Sequence, residues 1–159
     1  KNYDKDGIIA KSGNVNYEAL QLLLKNFYKK ENTVLKKPIQ SFDTKHFDFS
    51  FVQNLTLEDG AATLTEFTTQ IIIDAIKEKN LDKFKIILCG GGRKNNFLVE
   101  KLKKNFSLEL IDERGVDGDF VESQAFAYLA TRSYLNLPIS FPETTGCKKP
   151  SIGGVIVKG

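Results

Sequence analysis

The sequence of 159 residues contains no methionine, no tryptophan, a single histidine and only two cysteines. His46 alone cannot complete a metal cluster, and Cys89 and Cys147 are too far apart for a CxxC redox or zinc motif. The scarcity of cysteine predicts a reducing, cytoplasmic setting, in which Cys89 at the end of an apolar run is a small core residue. Because the chain starts at Lys1 with neither methionine nor a secretory pattern, we expect a piece of a longer polypeptide.

A strong charge of one sign and long apolar runs are also missing. The net charge is +3 and comes from scattered lysines. Only Arg93, Arg114 and Arg132 carry the guanidinium groups typical of phosphate and base recognition, so we expect no nucleic-acid partner. No apolar run approaches the roughly 20 residues that a membrane span needs, so we expect no membrane partner. Hydrophobic residues make up 41% of the sequence, which is enough for the core of one domain.

Two amphipathic helices are predicted in the first half of the chain. Leucines and Phe27 recur at helical spacing over 17–28, and a polar connector is predicted over 29–37. A second helix is predicted to begin after Thr56, with Thr56 as its N-cap, and to continue to about Lys79. Its predicted buried stripe consists of Ala61, Leu64, Phe67 or Thr68, Ile71, Ile72 and Ala75.

The second half of the chain alternates between strands and helices, as in a parallel βαβ unit. An apolar run over 85–89 predicts a strand that is covered on both faces. A helix is predicted over 95–104 and a second strand over 108–111. The helix predicted over 120–136 carries alanines among larger apolar residues, so we expect it to be central and buried. Residues 152–157 predict a last short strand.

Three consecutive glycines join the first of these strands to its helix. Gly90, Gly91 and Gly92 can let the backbone approach a ligand, and Asn95 can cap the helix or bind a sugar or base. A tight turn that needs a positive φ is the structural alternative. A third option is a dinucleotide-binding turn with Asp112 as the ribose-binding acid. Against it, the last motif position is Asn, and only one further strand follows.

Acidic residues precede the last long helix. Asp119 as N-cap and Glu122 three residues later form a capping box, which satisfies free N–H groups without any further function. The functional alternative places Glu122 at the mouth of the cleft, hydrogen-bonding substrate hydroxyls. Asp117 or Asp119 would then orient it or assist a metal-bound water. Glu122 and Asp119 are therefore the candidate substrate-binding residues.

Several separated motifs together resemble the C-terminal half of the anhydro-N-acetylmuramic acid kinases, bacterial sugar kinases of the actin, hexokinase and Hsp70-type ATPase fold. The resemblance covers nearly the whole chain. The motifs that carry it, in order, are YDKDG at 3–7, SG at 12–13, DGAATLTEFTTQII at 59–72, CGGGRKN at 89–95, GVDGDFVESQAFAYLATRS at 115–133, LP at 137–138, TTG at 144–146 and PSIGG at 150–154.

The resemblance implies an α/β fold of the actin-like ATPase (ribonuclease H-like) type, with a mostly parallel or mixed sheet flanked by helices. It implies an enzyme of cell-wall recycling that hydrolytically opens the 1,6-anhydro ring of anhydro-N-acetylmuramic acid and phosphorylates its O6 from ATP, with Mg²⁺ accompanying the nucleotide. On that pattern Gly90, Gly91 and Gly92 lie in the adenosine-binding turn with Asn95 beside it, and Glu122 faces the sugar. The family also suggests that two copies form a homodimer.

The sequence departs from the family pattern in two respects. The glycine-rich M-S-G-T-S segment that holds the phosphates and the D-T-G-P-G-N segment that supplies the catalytic aspartate are absent, and the P-P-K-S-type stretch is altered at 37–43. We therefore expect residues 1–159 to be the C-terminal lobe of a two-lobed kinase, without the N-terminal lobe, without a catalytic residue and without turnover on its own. The alternative is a non-catalytic nucleotide-binding or dimerisation module, left after loss of the partner lobe.

Overall fold

The computed structural model describes residues 3–34, 47–155 and 157 of the chain, and side chains are not described for 30–34. His46 and the altered stretch 37–43 lie outside the described residues. The helices and strands, in chain order, are α1 (Ile8–Ser12), α2 (Tyr17–Val34), α3 (Leu57–Glu78), β1 (Ile86–Leu88), α4 (Asn96–Lys103), β2 (Leu108–Leu110), α5 (Val121–Tyr134) and α6 (Pro142–Thr145).

The two helices predicted in the first half are confirmed. Helix α2 covers the predicted 17–28 and continues to Val34, so the predicted polar connector begins too early. The reason is that lysine and glutamate are good helix formers, and neither glycine nor proline interrupts the chain before Pro38. Thr56 caps α3 as predicted, because its hydroxyl accepts a hydrogen bond from the Asp59 amide at 3.1 Å.

The buried face of α3 is broader than the predicted stripe. Phe67 is buried as predicted, whereas Ala75 is exposed. The other predicted stripe residues, Ala61, Leu64, Thr68, Ile71 and Ile72, are half-buried, and the buried residues that the stripe omits are Gly60, Ala62, Thr63, Thr69 and Ile73. The physical reason is that α3 packs against two separate cores. One core surrounds Phe67 with α2 and the segment 47–52, and the other surrounds Ile73 with α4 and both strands.

The described strands form a two-stranded parallel sheet, which confirms the predicted βαβ unit and the α/β class. Ile86 pairs with Leu108 and Leu88 with Leu110, and α4 makes the crossover. Ile86 and Leu108 face the core of Ile73, Leu102 and Phe106, whereas Ile87 on the opposite face is 43% exposed. The prediction that both faces are covered is therefore wrong.

The exposed sheet face has two further consequences for the predictions. Cys89 is exposed rather than a core residue. Helix α5, predicted to be central and buried, has no buried residue, and Phe126 on it is 64% exposed. Among the described residues no other helix or strand packs extensively against α5. In the described part of the chain, helices α3 and α4 cover one face of the sheet, and no helix covers the face that carries Ile87.

Over the described residues 152–155 and 157, the predicted last strand is absent, and residue 156 lies outside the described residues. Residues 152–155 form no strand, and an antiparallel bridge joins Ser140 to Ser151 just before them. Helix α5 ends at Tyr134, two residues before the predicted end and shortly before Pro138. Within the described residues, no helix combines the length and the apolar character needed to cross a membrane.

The N-terminal segment is fixed against α3 and α4. Both carboxylate oxygens of Asp4 accept hydrogen bonds from α1 amides, those of Ile9 and Ala10, each at 2.9 Å. Gly7 has a φ of 73°, and a Cβ atom there would lie 2.2 Å from Oδ1 of Asn95. Residues 3–7 are therefore held beside the turn that precedes α4.

Gly13 marks the closest approach between α1 and α3, and we expect Gly13→Ala to destabilise the chain. A Cβ atom at this position would lie 2.1 Å from the carbonyl oxygen of Glu58, and this backbone atom cannot rotate away. The expected loss in free energy of unfolding is about 1–3 kcal/mol, as for other overpacked sites. Urea unfolding monitored by circular dichroism measures it.

Gly60→Ala is the matched control, because the added methyl group would meet only the Val52 carbonyl oxygen, at an ordinary 3.7 Å. Gly60 lies in α3, where alanine is favoured over glycine, so the free energy of unfolding should stay the same or rise by up to about 1 kcal/mol. Equal stability of the two variants would contradict the packing described for Gly13.

Candidate functional site

The glycine turn, defined as Gly90–Gly92, follows β1 and leads through a short 3₁₀ turn into α4. Gly90 has φ 77° and ψ −179°, a conformation that is essentially restricted to glycine. Gly91 and Gly92 are different, since each is exposed and an added Cβ atom would meet no heavy atom within 4 Å. The structural alternative, a turn that needs positive φ, therefore accounts for Gly90. The described residues give no packing reason for glycine at the next two positions.

Asn95 fulfils one of its two predicted roles. Its Oδ1 atom accepts a hydrogen bond from the Leu98 amide at 3.0 Å, so Asn95 is the N-cap of α4. Asn95 is half-buried, and its predicted contact with a sugar or base remains a prediction.

Two cavities open on the glycine turn. The larger, of about 410 Å³, is named the Asn95 cavity and is lined by Tyr3, Asp4, Lys5 and Asp6 on one side and by Gly91, Gly92, Lys94 and Asn95 on the other. The second, of about 220 Å³, is named the Glu122 cavity and is lined by Cys89, Gly90, Gly91, Gly118, Asp119, Val121, Glu122 and Ala125. Gly91 lines both cavities, so the turn forms a thin wall of backbone between them.

Arg93 is the residue that the sequence reasoning missed. Its side chain is only 6% exposed and donates to three segments of the chain. Nε and Nη2 donate to the two carboxylate oxygens of Asp112 at 2.7 and 3.1 Å, and Nη1 donates to Asp119 at 2.7 Å and to the Gly90 carbonyl at 3.2 Å. Asp117 lies further away, with 3.8 Å between its Oδ1 and Nη2. The signal in the sequence was one arginine directly after the glycine turn, followed by three aspartates over 112–119.

The charges around Arg93 shift one another's pKa values. The hydrogen bonds from the Arg93 side chain, with a weaker one from the Gly118 amide, lower the pKa of Asp112 from its ordinary 3.8 to about 2. Hydrogen bonds from Lys94 and then from Arg93 lower the pKa of Asp119. The same two aspartates raise the pKa of Arg93, so Arg93, Asp112 and Asp119 are all charged at neutral pH.

The predicted capping box at the start of α5 is wrong. The N-cap of α5 is Phe120, and no side chain caps the helix. Asp119 instead accepts hydrogen bonds from Arg93 and from Lys94 Nζ, the latter at 2.5 Å. Two cations engage this carboxylate in place of the helix N–H groups, because each full positive charge adds Coulomb attraction to its hydrogen bond. Glu122 is exposed in the first turn of α5, beside the Glu122 cavity.

The segment before α5 is shaped by the Arg93 side chain. Gly118 is buried, and a Cβ atom there would lie 2.3 Å from Arg93 Nε, so this glycine is required by close contact. The Gly118 amide also donates to Asp112 at 3.3 Å. Because Asp112 is engaged by Arg93, it is not free to bind a ribose, and this geometry argues against the dinucleotide-binding alternative.

The site therefore brings together most of the predicted residues. Gly90, Gly91, Asp119 and Glu122 border the same cavity. Gly92 and Asn95 lie on the other side of the turn. The arrangement presents a wall of bare backbone beside a carboxylate that protein cations hold in place, with a second, exposed carboxylate next to it.

The low pKa of Asp112 predicts how stability depends on pH. The contribution of the Asp112 pair is fully present above the ordinary pKa of 3.8 and is lost as pH falls through about 2. We expect Asp112→Asn to be less stable at neutral pH, and its free energy of unfolding to fall less steeply between pH 4 and pH 2. Urea unfolding across this range measures both effects.

Asp82→Asn is the control for this measurement, since it removes an exposed aspartate from the turn after α3. Its unfolding free energy should follow that of the unaltered chain at every pH. An Asp112→Asn variant that loses stability towards pH 2 as steeply as the unaltered chain would contradict the assignment.

Comparison with known proteins identifies the family. The family model described as anhydro-N-acetylmuramic acid kinase matches residues 1–159. Curated relatives named anhydro-N-acetylmuramic acid kinase include those of Pelagibacter ubique, 49% identical over 98% of this chain and 43% of the relative, and Caulobacter vibrioides, 37% identical over 98% and 41%. The relative from Zymomonas mobilis is 36% identical over 97% of this chain and 41% of its own length.

The chain spans about two fifths of the length of these curated relatives. The match includes the glycine turn, Arg93 and the acidic segment before α5, which are the parts that form the site. The chain belongs to the anhydro-N-acetylmuramic acid kinase family.

Proposed function

We propose that this chain is the C-terminal lobe of an ATP-dependent anhydro-N-acetylmuramic acid kinase of the actin-like fold. In the proposed reaction, water opens the 1,6-anhydro ring and the γ-phosphoryl group of ATP is transferred to O6, giving N-acetylmuramic acid 6-phosphate and ADP. The supporting observation is that the family match spans the whole chain and contains a glycine turn whose open side borders two cavities.

The Asn95 cavity is the proposed nucleoside side of the ATP site. Its volume of about 410 Å³ lies within the range of 300–1,000 Å³ that is usual for small-molecule pockets. Gly91 and Gly92 form its wall, where the absence of side chains lets a ligand approach the backbone closely. Asn95 and Lys94 supply polar groups at its edge.

The Glu122 cavity is the proposed sugar side. Glu122 is exposed on the first turn of α5 and can accept hydrogen bonds from sugar hydroxyls. Asp119 is the second proposed substrate-binding residue. Arg93 and Lys94 already engage it, so it would contribute as a fixed acceptor rather than a mobile one.

Magnesium and the catalytic base are not assigned to this chain. Over the described ranges 3–34 and 47–155, no group of three or more His, Cys, Asp or Glu residues is arranged to hold a metal ion. The aspartates nearest the site are bound to Arg93 and Lys94. We therefore propose that Mg²⁺ enters with the phosphates of ATP, and that the remainder of the enzyme holds them.

The two free thiols, Cys89 and Cys147, are compatible with a reducing, cytoplasmic setting.

Helix α5 supports the proposal that this chain packs against the remainder of such a kinase. Isolated helices of about 12–15 residues are marginal in water, and α5 has 14 residues, none of them buried. Large side chains such as Phe126 and Tyr134 are left exposed along it. The curated relatives have more than half of their length outside the matched region, and we propose that this part covers α5.

Nucleotide binding tests the proposed function directly. ATP is titrated by calorimetry into the chain alone and into the chain mixed with the part of the Pelagibacter ubique relative that it does not cover. We expect weak or no binding to the chain alone and clear binding to the mixture. Gly91→Ala should weaken binding about tenfold, because the methyl group occupies space that the ligand would need.

Gly60→Ala again serves as the control, since it adds the same methyl group within α3, away from both cavities. ATP affinity should be unchanged in this variant. Unchanged affinity in Gly91→Ala would show that the turn is only structural. Absence of ATP binding by the mixture would contradict the proposed function and favour a non-catalytic module.

The proposed covering of α5 leads to a separate prediction. Phe126→Ser should leave the stability of the chain alone unchanged, because the ring is exposed, but should weaken association with the remainder by about 1–3 kcal/mol. Tyr17→Ser is the matched control, because Tyr17 is a similarly exposed aromatic residue, at 69%, on α2. Analytical ultracentrifugation measures the association. If the chain alone forms dimers that Phe126→Ser abolishes, α5 is instead the contact between two copies.

A further inference from the structure

Arg93 lies between two segments that form opposite walls of the Glu122 cavity. One wall is the glycine turn, in which the Gly90 carbonyl accepts from Nη1 at 3.2 Å. The other wall is the segment leading into α5, in which Asp119 accepts from the same nitrogen at 2.7 Å. A single guanidinium nitrogen therefore connects the two walls directly.

The remaining guanidinium nitrogens fix the direction of the side chain. Nε and Nη2 donate to the two carboxylate oxygens of Asp112, at the carboxyl end of the sheet. This bidentate pair holds the guanidinium plane in one orientation. Gly118 packs so closely against Nε that a Cβ atom there would be 2.3 Å away. The side chain therefore has no space on the Gly118 side into which it could turn.

Burial distinguishes Arg93 from the other arginine that pairs with a carboxylate in this region. Arg114 donates to both oxygens of Glu109, at 3.1 and 3.2 Å, but its side chain is 49% exposed and its partner lies only five residues away. Arg93 is 6% exposed, and its partners lie 19 and 26 residues away. Burying the Arg93 charge is costly, and Asp112 and Asp119, whose side chains are 43% and 46% exposed, compensate it while fixing the direction of the guanidinium.

We propose that Arg93 is a positioning residue that fixes the glycine turn relative to the start of α5, so that the nucleotide wall and the Glu122 wall of the cleft move as one unit. The inference rests on the proposed function for the identity of the two ligands. The mechanical connection itself is defined by the hydrogen bonds of Arg93 to Gly90, Asp112 and Asp119.

Hydrogen exchange measured by mass spectrometry tests the connection without any ligand. Arg93→Lys keeps the positive charge but removes the bidentate hydrogen bonding to Asp112. We expect exchange to become about tenfold faster in peptides covering 90–95 and 117–122 together, with α3 unchanged. Arg114→Lys is the matched control and should leave both peptides unchanged. Uniformly faster exchange throughout the chain, or no change in either peptide, would overturn the proposal.

A second variant keeps the test decisive if Arg93→Lys folds poorly. Asp119→Asn leaves the pair between Arg93 and Asp112 intact and weakens only the connection to α5. Exchange should then increase over 117–122 and in the glycine turn, while β2 remains protected. Unchanged exchange in this variant would equally overturn the proposal.

ATP affinity separates this inference from the proposed function. In the mixture with the remainder of the Pelagibacter ubique relative, Arg93→Lys should weaken ATP binding roughly tenfold at a temperature where it is fully folded, as for other losses of a supporting residue. Arg114→Lys should bind as the unaltered chain does. If the unaltered mixture binds ATP and Arg93→Lys binds equally well, the positioning role fails and the proposed function stands. If the unaltered mixture binds no ATP, the proposed function fails, and hydrogen exchange still decides the role of Arg93.

Discussion

The hydrogen bonds of the Arg93 guanidinium to Asp112 and Asp119 connect the segments that form the candidate site. The glycine turn comes from the β1–α4 connection, whereas the acidic segment follows β2, so their relative position is not set by either connection alone. One nearly buried side chain joins them and also contacts the Gly90 carbonyl. If Arg93 is the positioning residue that we propose, the proximity of Asp119 and Glu122 to the glycine turn depends on this network. The low pKa of Asp112 and the close packing of Gly118 both follow from it.

Sequence patterns predicted the parts of the fold that are determined locally. The Thr56 cap of α3, the Asn95 cap of α4 and the parallel order of β1 and β2 depend on neighbouring residues or on one short crossover. The patterns failed where distant packing decides. The capping box at Asp119 was wrong because Arg93 and Lys94, which follow the glycine turn, engage that carboxylate. The buried α5 and the buried Cys89 were wrong because no described element covers that side of the sheet.

The uncovered face of the sheet and the exposed helix α5 are consistent with membership in a family of longer proteins. The matched kinases are more than twice as long as the region that this chain covers. A helix with exposed aromatic residues, beside a sheet with one uncovered face, is the surface that a second part of such an enzyme would bury. On this account, the chain contributes the nucleoside and sugar walls of the cleft. The phosphate-binding loop and the catalytic base would come from the remainder.

We propose that the Gly90–Gly92 turn and the start of α5 line the nucleotide and sugar cleft, so ATP should perturb the amides of both segments. Two-dimensional ¹H–¹⁵N NMR of the ¹⁵N-labelled chain, mixed with the remainder of the kinase and titrated with ATP, examines this arrangement residue by residue, because amide shifts report even weak binding. We expect concentration-dependent shifts that centre on Gly91, Gly92 and Asn95 and extend through Arg93 to residues 118–122. Shifts centred elsewhere, or none at millimolar ATP with the remainder of the kinase present, would contradict it.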